Sequence, residues 1–177
     1  MRTRFALIAF ALLLCTSVIA AEKPAIDIPV YPGGEATMEI NLTSEDLLPT
    51  LQAMLPMIAG KLADQINPDD LTGALKDVKQ IEMLQIDIAK TATETEVADY
   101  YAKNVPAGQW SRVFWQKSPK MGTMAFYVQG GGEKLYGFRV QQAMSDDKPV
   151  KRVQVVKTNG KIDFVKLLTI AAKLFGM

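Results

Sequence analysis

The chain has 177 residues, a formal net charge of +1, no His and a single Cys. Without His, the chain has no Ser-His-Asp relay and no imidazole zinc site. Because its one Cys, Cys15, lies inside an N-terminal apolar run, the rest of the chain has no Cys nucleophile, no thiolate zinc site and no disulfide. The balance of 20 basic and 19 acidic residues argues against nucleic acid as the main partner, since phosphate binding needs a clustered excess of Lys and Arg.

The first 20 residues have the pattern of a cleaved export signal. Arg2 and Arg4 form a positive start, Phe5–Cys15 is an unbroken apolar run, and Val18-Ile19-Ala20 precedes the expected cleavage site. Cleavage removes two arginines and no acid, so the formal charge changes from +1 to −1. The prediction is an exported protein, periplasmic or extracellular.

Two other fates of this segment stay open. The first is a retained membrane anchor, but residues 5–21 give only 17 residues and include Thr16 and Ser17, whereas a span needs about 20 apolar residues. The second is lipidation at Cys15, which is disfavoured because lipoprotein signals carry a small residue before the cysteine and Leu14 stands here. We therefore expect no stable membrane insertion after cleavage.

Residues 21–35 are rich in Pro and Gly and predict an extended leader, because proline fixes φ and removes backbone donors. Residues 36–177 predict one domain. Ala36–Leu42 alternates between apolar and polar residues, as a half-buried strand does. Thr43–Asp46 then supplies a cap and early acids for a helix that runs to about Gln65, with Pro56 kinking it.

The middle of the chain predicts two helices and a strand. A short helix should follow the turn at residues 67–70 and end between Lys76 and Gln80. Ile81–Ala89 is the next strand, and Thr93–Asn104 is a helix. The inner face of that strand is predicted to carry Leu84, Ile86 and Ile88.

Four strand patterns follow in quick succession: Trp110–Lys117, Thr123–Gln129, Leu135–Ala143 and Lys151–Thr158. Their short connections predict an antiparallel meander, because parallel strands need a long crossover. Asn159-Gly160 is expected to turn the chain into a last amphipathic helix. The fold class is therefore α+β, with the four-strand meander and the N-terminal strands forming an antiparallel sheet packed against helices on one face.

The closing stretch Asn159-Gly160-Lys161-Ile162-Asp163-Phe164, with the helix after it, resembles the end of the exported bacterial family called domain of unknown function four-two-five-two. Trp110 at the start of the meander and the helix-rich first half after a signal are similar in layout. The resemblance implies export and a fold. It carries over no activity and no catalytic residues.

Three segments of the sequence suggest a phosphate- or ion-binding motif, but each lacks residues that the motif requires. Gly130-Gly131-Gly132 is followed by a strand and lacks the Lys and Ser or Thr of a phosphate loop, so we expect a hairpin turn. Asp69-Asp70 and Asp146-Asp147 lack the alternating oxygens and closing Glu of a calcium loop, so turn and helix-start roles are expected. No catalytic residue, metal ligand or cofactor is therefore nominated.

Aromatic and basic residues cluster on the meander and define a candidate binding surface for a protein, a peptide or a glycan. Its residues are Trp110, Arg112, Trp115, Tyr127, Tyr136 and Arg139. The alternative is that both faces of the sheet are buried, one by helices and one by the leader or a loop.

Three functions remain open at this point. The first is a non-catalytic binding or interaction module of the cell envelope. The second is an envelope hydrolase that uses carboxylates or Lys, for which the sequence singles out no pair of acids. The third is a structural envelope protein that assembles with copies of itself.

Overall fold

The computed structural model describes residues 26–47, 49–50, 68–89, 91–118, 122–163 and 166. These residues form an α+β fold in which a six-stranded sheet predominates. The strands are β1 (Gly34–Thr43), β2 (Asp77–Ala89), β3 (Ser111–Ser118), β4 (Gly122–Gln129), β5 (Lys134–Ser145) and β6 (Lys148–Lys161). Two helices lie entirely within the described residues, α1 (Pro68–Leu75) and α2 (Glu94–Lys103), and a helical turn also begins at Ser44.

Every neighbouring pair of strands is antiparallel, in the order β1-β2-β6-β5-β4-β3. The predicted four-strand meander is confirmed, and its last strand returns to lie beside β2. As a result β1 and β3 are the two edge strands of the sheet.

The turns of the meander follow local backbone chemistry. Asp146 and Asp147 both have positive φ, 47° and 60°, which is the signature of a two-residue hairpin turn that matches the twist of the flanking strands. Gly130–Gly132 forms a short 3₁₀ turn between β4 and β5. The turn roles expected for both segments are confirmed.

The expectation for Asn159-Gly160 was wrong, because both residues lie inside β6. Gly160 pairs with Val78 of β2 at a β-bulge, and its φ is +95°. A Cβ at this position would lie 2.3 Å from the carbonyl oxygen of Asp77, so the glycine serves a close approach of two strands and not a turn. The same pairing extends β2 back to Asp77, four residues before its predicted start.

Two apolar clusters lie on opposite faces of the sheet. We call the face that carries Leu84, Ile86 and Phe138 the front face, and the face that carries Met83 and Leu135 the back face. Successive residues of a strand point to opposite sides, so Met83 and Leu84 separate the two clusters within one strand. The front cluster also contains Ile28, Val97, Tyr101, Val153 and Val155, and the back cluster contains Leu47, Leu75, Val78, Ile81 and Ile162.

Helical residues cover both faces, which corrects the expectation of helices on one face only. Val97 and Tyr101 of α2 pack in the front cluster, whereas Leu75 of α1 packs in the back cluster. The physical reason is that β2 is apolar on both sides over part of its length, with Met83 buried as completely as Leu84. Reading only the alternate residues Leu84, Ile86 and Ile88 missed the second buried side.

The predicted helix over residues 93–104 is confirmed as α2 and starts at a capping box. The Thr93 side chain accepts a hydrogen bond from the Glu96 backbone N–H, and Glu96 accepts one from the Thr93 backbone N–H at 2.8 Å. The part of the leader that the structure describes packs against this helix on the front face. Tyr100 donates its hydroxyl to the Val30 carbonyl at 2.9 Å, and Tyr31 packs edge-on against the Tyr100 ring.

Three of the expectations concern segments outside the described residues. They are the export signal at residues 1–20, most of the helix expected to run to Gln65, and the amphipathic helix after Phe164. Within the described part of the chain, none of the helices has the length and apolar character needed to span a membrane.

Candidate functional site

Six side chains, one from each strand, form a line across the front face that we call the polar row. In sheet order they are Asn41, Glu82, Lys157, Tyr136, Tyr127 and Arg112. Each is the direct register partner of the next, so adjacent members stand about 5 Å apart. The row borders the apolar front cluster, because Leu84, Val155 and Phe138 occupy the next positions toward α2.

One half of the polar row is ionic and hydrogen-bonded. Glu82 is 8% exposed, and its Oε2 lies 3.5 Å from the Lys157 ammonium. Gln80 donates its side-chain N–H groups to Glu82 Oε1 at 3.0 Å and to Asn41 Oδ1 at 2.9 Å. Lys157 also donates to Asp27 of the leader at 3.1 Å, so the leader lies over this half of the row.

The other half of the polar row is aromatic and buried. Tyr136 is fully buried, Tyr127 is 8% exposed, and their ring centres are 6.2 Å apart. Trp110, just before β3, packs edge-on against Tyr136 with ring centres 6.4 Å apart. Burial raises the pKa of the Tyr136 hydroxyl far above its ordinary value, so this group stays protonated and remains a hydrogen-bond donor at physiological pH.

Two donors in this aromatic half have no hydrogen-bonding partner among the described residues. They are the Tyr136 hydroxyl and the Trp110 indole Nε1, and both atoms are buried. Glu82 Oε2 likewise accepts no hydrogen bond, although it faces Lys157. Buried polar groups are paired in the great majority of cases, so this concentration along one row marks the region as unusual.

The end of the polar row at β3 is exposed to solvent. The Arg112 guanidinium lies over the Trp115 ring, 5.0 Å from its centre, in a cation–π contact. Trp115 is 41% exposed and Val113 is 56% exposed. A shift in register between Arg112 and Phe114 places Val113 in a β-bulge. An aromatic, an aliphatic and a cationic side chain are therefore presented together at a sheet edge.

The structure brings together five of the six residues of the predicted binding surface. Trp110, Arg112 and Trp115 surround Tyr127 and Tyr136 on the front face, but the two tyrosines are buried and contribute no exposed area. Arg139 points to the back face, where its register partners are Gln154 and Met124, and burial lowers the pKa of its guanidinium.

Sequence reasoning missed Glu82 and Lys157. The sequence did contain a pattern that points to each of them. Glu82 stands two residues from Leu84 and Lys157 two residues from Val155, so each charged residue shares a strand face with a buried apolar residue. A charged residue in phase with core residues must be paired or functional. Nothing in the sequence could have paired these two with each other, since the pairing depends on β6 returning beside β2.

The back face carries another ion pair between β2 and β6, and both of its charged groups are closely paired. Arg152 donates to both carboxylate oxygens of Asp87, at 2.8 and 2.7 Å. The hydrogen bond from Arg152 is the main reason that the pKa of Asp87 is lowered, with Ser145 adding a further hydrogen bond against the opposing effect of burial. This pair stabilises the packing of β2 beside β6.

Among the described residues, no three His, Cys, Asp or Glu side chains are grouped so that they could hold a metal ion. No family model matches the chain, and no curated protein or solved structure matches it either.

Proposed function

We propose that the mature chain is an exported, non-catalytic binding domain of the cell envelope that accepts an extended polypeptide strand along the edge of β3. The observation that carries the proposal is the edge strand itself, on which Val113 and Trp115 are 56% and 41% exposed beside Arg112. Large apolar side chains exposed together on an edge strand are a feature of binding surfaces.

Strand addition suits this edge. Within the described residues β3 pairs with β4 only, so its other side presents backbone N–H and C=O groups that an incoming strand can bond. Main-chain hydrogen bonds supply affinity in this mode, and side chains that alternate along the edge supply selectivity. The bulge at Val113 and the charge of Lys117 limit indiscriminate pairing with other edges.

The charge of this region indicates an acidic partner. Residues 104–132 contain Arg112, Lys117 and Lys120 and no Asp or Glu, although the whole chain is nearly neutral. A strand that carries acidic residues in alternation with apolar ones would place its carboxylates near Arg112 and Lys117 and its apolar side chains near Val113 and Trp115.

The enzyme alternative would depend on Glu82 and Lys157, the carboxylate and amine that the fold brings together. These two groups neutralise each other, and Glu82 is almost completely buried, so neither is presented to a macromolecular substrate. The export signal predicted from residues 1–20, and the resemblance of the closing stretch to an exported bacterial family, support a location in the envelope. Neither supports a reaction.

The test is selection of binders to the mature chain from a random dodecapeptide library, followed by affinity measurement with the selected peptides. We expect enrichment of peptides that alternate apolar and acidic residues and that slow hydrogen exchange at the β3 amides. Val113→Glu should weaken binding at least about tenfold, since it places an acid at the edge. Met144→Glu is the matched control, because Met144 is 60% exposed at the distant β5–β6 hairpin.

Three results would overturn the proposal. One is the absence of any enriched sequence pattern, and another is equal binding by wild type and Val113→Glu. The third is binding to vesicles of anionic lipid with no peptide binding, which would make the exposed Trp115 edge a membrane-surface contact instead.

A further inference from the structure

The polar row and Trp110, which packs against it, carry three of the four buried polar side-chain atoms that lack a hydrogen-bonding partner among the described residues. They are the Tyr136 hydroxyl, Trp110 Nε1 and Glu82 Oε2, and the fourth, Gln154 Oε1, lies on the back face. An unpaired buried donor or acceptor destabilises a folded protein, so three such atoms in one region are unfavourable unless a further group pairs with them. An unpaired buried polar group in a folded protein calls for an explanation, and a bound water, ion or small molecule that completes its hydrogen bonds is one.

The three atoms flank one residue. Glu82 and Tyr136 are the register partners of Lys157 on its two sides, and strands two positions apart are separated by roughly 10 Å. Trp110 stacks edge-on over Tyr136, which adds the indole N–H to the tyrosine side of the row. The acceptor thus lies on one side of Lys157 and the two donors lie on the other.

The mixture of donors and acceptor restricts the chemistry of a bound molecule. A carboxylate or phosphate would satisfy Tyr136 and Trp110 but would bring negative charge toward Glu82. An ammonium would satisfy Glu82 but would face the Lys157 cation and two donors. A hydroxyl group both donates and accepts, so a neutral molecule with several hydroxyls can serve all three atoms.

We propose that the polar row between Glu82 and Trp110 is a binding site for a small neutral polyhydroxylated molecule, a monosaccharide or a comparable polyol. Tyr136 and Trp110 donate to its oxygens, and Glu82 accepts from one of its hydroxyls. The rings of Trp110 and Tyr127 supply the apolar surface that the C–H groups of such a molecule contact. The proposal does not depend on strand binding at β3.

Solvent reaches the row at Lys157, whose side chain is 23% exposed. Above it lies Asp27 of the leader, which is 92% exposed and bonds to the Lys157 ammonium at 3.1 Å. A surface ion pair of this kind contributes little stability, so the Lys157 and Asp27 side chains can separate while Ile28 of the leader stays packed in the front cluster. The entrance to the site therefore lies between the leader and the Lys157 side chain.

The test uses the two tryptophans of the chain, which give two indole N–H resonances in a nitrogen–proton correlation spectrum. Glucose, N-acetylglucosamine and glycerol are titrated into the mature protein, with sodium acetate as the anionic comparison. We expect at least one hydroxylated probe to shift the Trp110 resonance along a saturable curve. The exposed Trp115 resonance should not move, and acetate should leave both unchanged.

Two variants test the assigned contacts. Tyr136→Phe and Glu82→Gln should each weaken the binding of that probe by about 3- to 10-fold, the factor for one hydrogen bond. Tyr31→Phe removes the same atom from a tyrosine outside the row and should not change the affinity. Thermal melting checks that each variant is folded.

The proposal fails if no probe produces a saturable shift of the Trp110 resonance, or if both resonances drift linearly with concentration. It also fails if folded Tyr136→Phe binds as tightly as wild type. A fully hydrated row, with ordered water on all three atoms in a crystal soaked with every probe, would assign the unpaired atoms to structural water.

Discussion

Two ion pairs join the same two strands on opposite faces of the sheet. They differ in how many hydrogen bonds the carboxylate oxygens of each pair accept. On the back face Asp87 and Arg152 are direct register partners with two short hydrogen bonds, at 2.7 and 2.8 Å. On the front face Glu82 and Lys157 are also direct partners, but the closest approach is 3.5 Å and Glu82 Oε2 accepts no hydrogen bond.

The difference follows from the chemistry of the two cations and from their surroundings. Arginine presents a planar fork that matches both oxygens of a carboxylate, whereas the lysine ammonium is a single point of charge. Lys157 is also shared between Glu82 and Asp27. A pair that satisfies its groups completely is suited to holding strands together. A pair that leaves hydrogen-bonding capacity unused, beside Tyr136 and Trp110, is suited to binding something else.

The largest effect that separates the two pairs is expected for Asp87→Ala. The side chain of Asp87 is 7% exposed, and its removal leaves a partly buried Arg152 without its partner. Breaking a buried pair costs 3–5 kcal/mol, and because Arg152 is 25% exposed we expect about 2–3 kcal/mol. Urea unfolding gives the value. Glu39→Ala, at an exposed position of β1, is the control and should stay within about 0.5 kcal/mol.

The pH dependence of stability should follow the same back-face pair. The pKa of Asp87 lies below its ordinary value of 3.8 in the folded protein, so the unfolded chain takes up the proton first as the pH falls. The stability that this carboxylate contributes is therefore complete above about pH 5 and is lost as the pH falls through its folded-state pKa. Unfolding between pH 7 and pH 2 should show a shallower acid decline in Asp87→Asn than in wild type. Parallel curves for the two proteins would contradict a lowered pKa at this site.

A smaller effect is expected for Glu82→Gln on the front face. The amide keeps an oxygen for the hydrogen bond from Gln80 and removes a charge that is only loosely paired. The free energy of unfolding should change by less than about 1 kcal/mol, well below the effect of Asp87→Ala. If the two substitutions cost the same, the contrast between the pairs is lost and Glu82 also stabilises the packing of β2 beside β6.

The smallest effect is expected for Tyr136→Phe. Phenylalanine keeps the buried ring and removes only a hydroxyl that has no partner among the described residues. Removing an unpaired buried hydroxyl also removes the free-energy cost of taking that hydroxyl out of water. The free energy of unfolding should therefore be unchanged or rise by up to about 1 kcal/mol. Chemical denaturation of both proteins checks this. A loss above about 1 kcal/mol would mean that the hydroxyl is bonded in the folded protein without added ligand.

The sequence predicted the elements of the meander better than their neighbours. Alternation and short turns located β3, β4, β5 and the start of β6 to within a few residues. The errors at Asn159-Gly160 and at the start of β2 share one cause. Gly160 and the first residues of β2 depend on a bulge formed between strands that are about 80 residues apart in the chain, and no local pattern records it.

The candidate site was predictable only in part for the same reason. Aromatic and basic residues on neighbouring strands indicated a cluster that includes Trp110, Arg112 and Trp115. That Arg139 and Tyr136 lie on opposite faces follows from strand alternation, because they are three residues apart on β5. That Tyr127 and Tyr136 are buried beneath the cluster depends on which side of each strand receives the helix α2. The pattern along a strand gives two faces and does not say which one is covered.

By itself, the sequence determined the α+β class, the antiparallel order of the meander, the turns at Gly130–Gly132 and Asp146-Asp147, and the capped helix α2. These features depend on interactions between residues near one another in the chain, where side-chain period and backbone preference decide the outcome. Only the tertiary structure decided the pairing of β6 with β2, the cover of both faces, and the assembly of the polar row. The row needs one residue from each of six strands in a single register, and register is set by the burial of whole faces and not by any local segment.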